Sequence, residues 1–232
     1  MTSMKIGSVK AIGKEFLPPI VLKLIQSKRY ADFKRRYSKP TGSHEQSAEY
    51  YDEAFLLTEV CRKDYTESNH YPLWSVLVDR LCRAKVESVL EIGCGPGRLA
   101  AFLRDKGLSR YLGFDFSSKN IEWARANCPE FDFVEADAFK TDLIHSHDYD
   151  TVVSTEFLEH VEQDLDVIKQ IRSGTRFYGT VPNFPGRSHV RHFTNTQEVY
   201  DRYKDYFHSF SVDEFLGVVK GKKFYLMEGI KT

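Results

Sequence analysis

From Ser88 onward the chain alternates short apolar runs with amphipathic ones. "SVLEIGC" predicts a strand and "GRLAAFLRDKG" a helix closed by Gly107; "RYLGFDF" predicts a strand and "SKNIEWARANC" a helix opened by Ser117 or Ser118. "FDFVEAD" and "YDTVVST" predict two further strands, followed by a helix over "VEQDLDVIKQIRSG" that ends at Gly174. "TRFYGTVPN" predicts a fifth strand and "TNTQEVYDRYKDY" a helix capped by Thr194 or Asn195. "SFSVDEFL" and "KKFYLMEGI" finish the chain as strands, with Gly217 and Gly221 between them. Repeated strand-helix units imply a mostly parallel sheet covered on both faces, and the closing pair implies an antiparallel edge. The expected fold is therefore α/β: a doubly wound, mostly parallel seven-stranded sheet with an antiparallel edge strand, its ligands at the carboxyl ends of the strands.

Residues 1–80 show no strand pattern. "PPIVLKLIQSKRYADFKRRY" starts with prolines suited to a helix start and sets Ile20, Val21, Leu24 and Ile25 on one side, with Lys23, Lys28, Lys34 and Arg35 largely elsewhere. The loop "SKPTGSHEQS" follows, then helical "AEYYDEAFLLTEVCR" and "YPLWSVLVDRLCRA". The expected organisation is a basic amphipathic extension over 1–45, a helical cap over 46–82 and a ligand-binding core over 83–232. Net charge is zero for the 232 residues, so overall charge names no partner, but residues 1–45 carry ten Lys/Arg against three Asp/Glu. Cys61, Cys82, Cys94 and Cys128 form no C-x-x-C pair, which predicts reduced thiols and a cytoplasmic protein. "FLPPIVLKLI" is far shorter than the ~20 residues that cross a bilayer and lacks the order of a signal peptide.

The stretch "VLEIGCGPGRLA" places glycines at every second position after an apolar run, the turn of a nucleotide site. A triphosphate loop needs a lysine and a hydroxyl after the last glycine, where Arg98, Leu99 and Ala100 stand. A dinucleotide fingerprint needs G-x-G-x-x-G, whereas Gly93, Gly95 and Gly97 give G-x-G-x-G. Glu91, just before the glycines, would repel a pyrophosphate and favour a cation. Asp115, at the end of the second strand, is placed to accept from a ribose diol, and Asp137, at the end of the third, from an adenine amine. Adenosine carrying a sulfonium fits these positions.

In "VLEIGCGPG", "LGFDFS", "FVEADAF" and "YDTVVSTEFLEHVEQD" the sequence resembles the class I, seven-stranded, Rossmann-like S-adenosylmethionine-dependent methyltransferases, from about Tyr50 to the C-terminus. The resemblance implies S-adenosylmethionine as cofactor. It places Glu91, Gly93, Cys94, Gly95 and Gly97 along the methionine moiety, Asp115 and Phe116 at the ribose and adenine, and Asp137 and Ala138 at the adenine edge. Glu156 and Phe157 would lie beside the sulfonium. The N-terminal helices would cap the cofactor, with Tyr51 facing the pocket and Trp74 packing the cap onto the sheet.

Methyl transfer from a sulfonium is an in-line displacement in which positioning does much of the work, and a hydroxyl acceptor gains from a base. His160 is the candidate base, with Glu159 beside it and His192, from "PNFPGRSHVRHF", as a partner from a second loop. His189 belongs to the same histidine cluster. Glu156, Glu159 and His160 also match the E-x-x-E-H of metal-dependent RNA 2′-O-methyltransferases and some quinone O-methyltransferases, with His192 where a further ligand would fall. A divalent metal is thus an alternative to a base, and not the favoured one.

The basic segment "KRYADFKRRYSK" interleaves cations with Tyr30, Phe33 and Tyr37, which suits an anionic membrane surface or a nucleic-acid backbone as well as a solvated helix face. "KEFLPPIVLKLI" resembles the N-termini of methyltransferases found with bacterial surface-polysaccharide synthesis. The expected function is O-methylation of a small-molecule or glycan hydroxyl. The rivals are a nucleic-acid methyltransferase gripping through the basic helix and a cofactor-binding scaffold without catalysis. The absence of an N/D-P-P-Y/F motif argues against methylation of base amines, since "VPNF" follows the fifth strand rather than the fourth.

Overall fold

The computed structural model describes residues 19–37 and 44–232; residues 1–18 of the predicted extension, and 38–43 of the loop after it, lie outside the described residues. The described residues fall into two units, one holding helix α1 (Pro19–Arg36) and the other everything from residue 44. Helix α1 starts at a proline and ends in Lys34, Arg35 and Arg36, cations that suit the negative end of a helix. Its Ile20, Leu24 and Ile25 are exposed. Among the described residues no helix is long and apolar enough to cross a membrane.

In the second unit seven strands form one sheet in the order β3-β2-β1-β4-β5-β7-β6. Strands β1 (Ser88–Ile92), β2 (Arg110–Asp115), β3 (Asp132–Glu135), β4 (Thr151–Thr155) and β5 (Arg176–Pro182) run parallel. Strand β7 (Lys223–Lys231) enters antiparallel between β5 and the outermost β6 (Phe207–Leu216), so the predicted antiparallel pairing closes that side. Every residue of β1 and of β4 is buried, polar ones included, as the central strands of a doubly covered sheet are. Strand order reverses between β1 and β4, which opens a crevice at their carboxyl ends.

Helices α3 (Tyr71–Arg83), α4 (Arg98–Asp105) and α5 (Ser118–Asn127) cover one face through Leu77, Leu99 and Ile121 against Val89, Tyr111 and Val153. Helices α6 (Leu143–Ser146), α7 (Asp164–Gln170) and α8 (Thr196–Tyr203) cover the other through Ile144, Ile168 and Val199 against Leu90, Val152 and Phe177. Burying each such aliphatic side chain stabilises the fold by about 1.5–3 kcal/mol. Of the two caps open at each helix start, Ser117 Oγ accepts from Asn120 N at 3.2 Å and the Asn195 side chain from Glu198 N at 3.0 Å. Glu198 returns a carboxylate to Thr194 N at 2.8 Å, a reciprocal cap. The four cysteines are free, as expected.

Two helices are shorter than their patterns. Helix α2 (Ala48–Leu57) stops where Thr58 turns extended (φ −115°) and sets both its hydroxyl and its N–H on the Ala54 carbonyl. A tighter turn over Glu59–Arg62 replaces the predicted last helical turn. Helix α7 ends at Gln170, because Ile171 is extended well before Gly174. Helix α2 is fastened to the start of α5 by the Asp52 carboxylate, which accepts from Ser117 Oγ at 2.6 Å, Ser118 Oγ at 3.2 Å and Lys119 N at 3.0 Å.

Candidate active site

The crevice opens into a cavity of about 360 Å³. Its floor is the turn from β1 to α4, where Gly93 and Gly95 hold φ of +72° and +53°, backbone that side chains rarely adopt. A Cβ on Gly93 would stand 2.4 Å from Phe157 Cδ2, while one on Gly95 would meet nothing within 4 Å. Gly95 thus leaves space that a ligand can fill. Gly97 does not line the cavity: it lies where α4 crosses α5, and a Cβ there would sit 3.0 Å from that of Ala124. Its role is packing, contrary to the expectation of a methionine contact.

The carboxylate of Asp115 ties the end of β2 to this turn, accepting from Gly95 N at 3.0 Å, Ser117 N at 2.9 Å and Asn120 Nδ2 at 3.4 Å. Burial nonetheless pushes its pKa up. Glu91 is 1% exposed, accepts from Tyr111 Oη at 2.5 Å, and is driven by burial to a pKa of about 8 despite that bond and one from Thr155. The expected fixed negative charge at Glu91 is therefore a neutral carboxyl at neutral pH. Asp137 behaves oppositely: burial alone would raise it, but Lys140 Nζ at 2.7 Å and the Phe139 N–H at 2.9 Å bring it below the ordinary value. Cys94, Phe116 and Ala138 complete this wall of the cavity. Tyr51 of α2 closes over it, its ring 5.4 Å from Phe116 and 5.9 Å, edge-on, from His160.

The loop after β4 carries the most strained residue of the site. Glu156 has φ +52°, a conformation that costs a non-glycine residue on the order of 1 kcal/mol. It is held there by Thr180, whose Oγ1 donates to Glu156 Oε1 at 3.0 Å and accepts from Glu156 N at 3.1 Å. Burial raises the Glu156 carboxyl to about 7. Phe157 lines the cavity beside it. Glu159 lies behind that surface, fully buried, with neither carboxylate oxygen hydrogen-bonded; burial and the Glu156 carboxylate push its pKa well up.

His160 does face the cavity. Its Nδ1–H donates to Ser188 O at 3.0 Å, and His189 Nδ1–H donates to Phe184 O at 3.0 Å. Both Nε2 lone pairs are thereby left over, and with the Glu159 carboxylate they form a cluster whose ligand atoms all lie within 4.8 Å of one another. Burial, with the neighbouring His189, lowers His160 to about 4. His192, expected as the partner histidine, is exposed and off the cavity; His189 takes that place, because the loop after β5 turns its buried side inward three residues earlier.

Pattern reading of the sequence misses what holds this loop. The Arg191 guanidinium donates to the carbonyls of Leu158, Val161 and, at 2.8 Å, Glu162. Asp164, fully buried, accepts two bonds from Arg202 at 2.8 and 2.6 Å and one from Tyr203 Oη at 2.7 Å, and lies 3.3 Å from Arg191. These partners are 27 to 39 residues apart, beyond any local signal. Trp74, expected only to pack, also lines the cavity, together with Arg98 and His70.

Residues 89–179 match the family described as Methyltransferase domain. Over 108 residues the chain is 31% identical to the trans-aconitate 2-methyltransferase of Enterobacter sp. (strain 638), a stretch covering 45% of this chain and 41% of that one. Over 110 residues it is 27% identical to the ubiquinone biosynthesis O-methyltransferase of Citrobacter koseri, covering 44% of this chain and 45% of that one. It thus spans less than half the length of these relatives. The 1,6-didemethyltoxoflavin N1-methyltransferase of Burkholderia thailandensis superposes with a TM-score of 0.60 at 18% identity, over 83% of this chain and 94% of that one. The magnesium protoporphyrin IX methyltransferase of Synechocystis superposes with a TM-score of 0.55 at 16% identity, over 92% and 98%.

Residues 89–179 carry the match to a methyltransferase domain, and the sheet around them has the seven-stranded, Rossmann-like fold of S-adenosylmethionine-dependent methyltransferases. Within this class of fold the methyltransferase match covers β1 through most of β5, the strands whose ends surround the cavity. It leaves α2, α3 and the loop after β5 outside, and these carry Tyr51, Trp74 and His189. The matched stretch contains the glycine turn and Asp115, while the surfaces facing them lie outside it.

Proposed function

We propose that the chain moves the methyl group of S-adenosylmethionine onto an oxygen of a small-molecule or glycan acceptor. The observation that carries this reading is the Glu159–His160–His189 cluster at the edge of a glycine-floored cavity. In it Glu91, Gly93, Cys94 and Gly95 surround the methionine moiety, Asp115 and Phe116 the ribose and adenine, and Asp137 and Ala138 the adenine edge. Tyr51 closes the site, and Glu156 and Phe157 stand beside the sulfonium. Among the described residues the cavity is lined by the carboxyl groups of Glu45, Glu91, Asp115, Asp137 and Glu156; Asp137 is held below its ordinary pKa and keeps its charge, and a cation arriving beside Glu91 draws off its proton, which suits a ligand that is cationic and without phosphate. The quinone-pathway relative, an O-methyltransferase by name, supports oxygen as acceptor.

The donor set at the acceptor end fits a divalent cation: two imidazole Nε2 atoms and a carboxylate, each imidazole fixed through Nδ1 on a backbone carbonyl. Glu159, His160 and His189 would hold such an ion, which would supply Lewis acidity toward the acceptor oxygen. The test is transfer of labelled methyl to catechols, sugars and RNA, with and without chelator. Chelation and His189→Ala are each expected to lower the rate by about 10- to 100-fold, with S-adenosylhomocysteine affinity little changed. A rate that survives chelation returns His160 to the role of base, and labelling of amines alone overturns the oxygen assignment. Transfer to RNA that weakens steeply with salt favours the nucleic-acid reading. Anionic vesicles added to the same assay test the contact that basic α1, with exposed Ile20, Leu24 and Ile25, would make with a membrane surface: an unchanged rate and no binding remove it.

Glu91 gives a second test. A cation arriving beside its buried carboxyl draws the pKa down from about 8, so binding releases a proton. Affinity for S-adenosylmethionine is expected to rise from about pH 6 to about pH 8 and to level off above, because the proton is already gone there. Calorimetry in buffers of different ionisation heat reads the release, and Glu91→Gln should flatten the profile. A flat wild-type profile would remove Glu91 from the cofactor site.

A further inference from the structure

We propose that the turn between β6 and β7 is a docking surface for an anionic lipid membrane, a reading independent of the donor and acceptor chemistry above. Turns between strands are usually built from small polar residues, whereas residues 216–223, "LGVVKGKK", are apolar and basic with no carboxylate among them. Leu216, Val218 and Val219 are 79%, 65% and 46% exposed. Among the described residues of the second unit they are three of the six exposed large apolar side chains, and they fall within four positions of the chain. Single exposed apolar side chains need no explanation; three side by side at the end of a hairpin do. The backbone holds them there: Gly217 N donates to Lys222 O at 2.8 Å, Lys222 N to Val219 O at 3.0 Å, and Gly221 takes a φ of +82°. Of the three lysines, Lys223 is paired with Glu214 at 2.8 Å and the Lys222 ammonium lies over the Phe184 ring at 4.0 Å from the centroid. Lys220 is exposed and in no ion pair among the described residues.

Apolar and cationic positions on one turn match the two layers of an anionic membrane. The valines and the leucine enter at the acyl boundary, and the lysine stems carry their ammonium groups back to the phosphates. Each signal alone gives weak binding, and the two together reinforce each other. A second copy of the chain fits less well, because a symmetric pair would set the same lysines against one another. Phe224 pairs with Pro182, the last residue of β5, so the turn stands at the carboxyl end of the sheet, where the cavity opens. Phe184, under Lys222, lies 5.7 Å from the His189 ring, which lies 4.9 Å from that of His160. A membrane met by this turn therefore lies on the cavity side of the sheet.

Co-sedimentation of the full chain with phosphatidylcholine vesicles, with and without phosphatidylglycerol, tests the surface. Wild type is expected to bind the mixed vesicles alone, and less as salt rises. The double variants Val218→Ser/Val219→Ser and Lys220→Gln/Lys222→Gln should each weaken that binding about 10-fold, with urea midpoints unchanged. A Val218→Trp variant adds a gain of signal: brominated acyl chains should quench its fluorescence beyond the quenching of wild type, which has only Trp74 and Trp123. Wild type that stays in solution with both kinds of vesicle overturns the docking surface. So do double variants that sediment like wild type, which would leave the contact to basic α1, and so does a Val218→Trp variant quenched no more than wild type. Dimerisation without lipid that is lost in Val218→Ser/Val219→Ser overturns the membrane and gives the turn to a second copy of the chain.

Discussion

Replacing Asp164 with alanine is expected to cost about 3–5 kcal/mol of folding stability, toward the lower end because Arg202 is partly solvated. Asp164 is fully buried and is the shared acceptor of Arg202 and Tyr203, with Arg191 3.3 Å away. Its removal leaves two guanidinium groups without their counter-charge and a buried hydroxyl without an acceptor, whereas the attraction lost at a surface pair is mostly replaced by water. Asp213, half-exposed at 2.7 Å from Arg80, provides the contrast: Asp213→Ala should cost less than about 1 kcal/mol. Urea titration of both variants measures the difference. An Asp164→Ala cost no larger than that of Asp213→Ala would show that the buried cluster does not hold the fold. The same variant should also lower turnover, because Arg191 spans the backbone of the loop that carries Glu159 and His160.

Asp115→Ala is expected to weaken S-adenosylhomocysteine by roughly 100-fold, or about 2.7 kcal/mol, the worth of one strong hydrogen bond to a charged group. The carboxylate has two jobs that the substitution removes together. It braces the glycine turn through Gly95 N, and in the proposed site it accepts from the ribose diol. Asp115→Asn keeps one acceptor oxygen and should fall between the two. Calorimetry decides, and a variant that binds like wild type would remove the ribose from this end of β2.

The sheet was legible because β1, β4 and β5 are short runs centred on Val, Leu, Phe and Tyr between polar stretches, and because Ser117 and Asn195 are side chains whose chemistry is that of caps. The glycine-floored half of the cavity was legible for a related reason: Gly93 and Gly95 follow β1 and Asp115 ends β2, so finding the strands finds these residues of the cavity wall. The acceptor half was not. His189 and His192 lie on an irregular loop with no period to tell the inward one from the outward one. The left-handed backbone of Glu156 is imposed by Thr180, on another strand, and leaves no local trace. Gly97 shows the converse error, since a glycine in a ligand motif can be fixed by the helix behind it. The end of α2 was missed because Thr58 bonds back to Ala54, a choice that helix periodicity does not encode.

The clamp built by Arg191 has a meaning for how this protein can diversify. Arg191 grips main-chain oxygens, and at the other end of its loop Asn183 is paired through its own backbone and side chain to the backbone of Lys223. Both anchors are indifferent to the identity of the side chains between them. Pro185 and Arg187, exposed on that span, can therefore change without loosening the residues around His160. Selection can rewrite this exposed span while the clamp beneath it stays inherited.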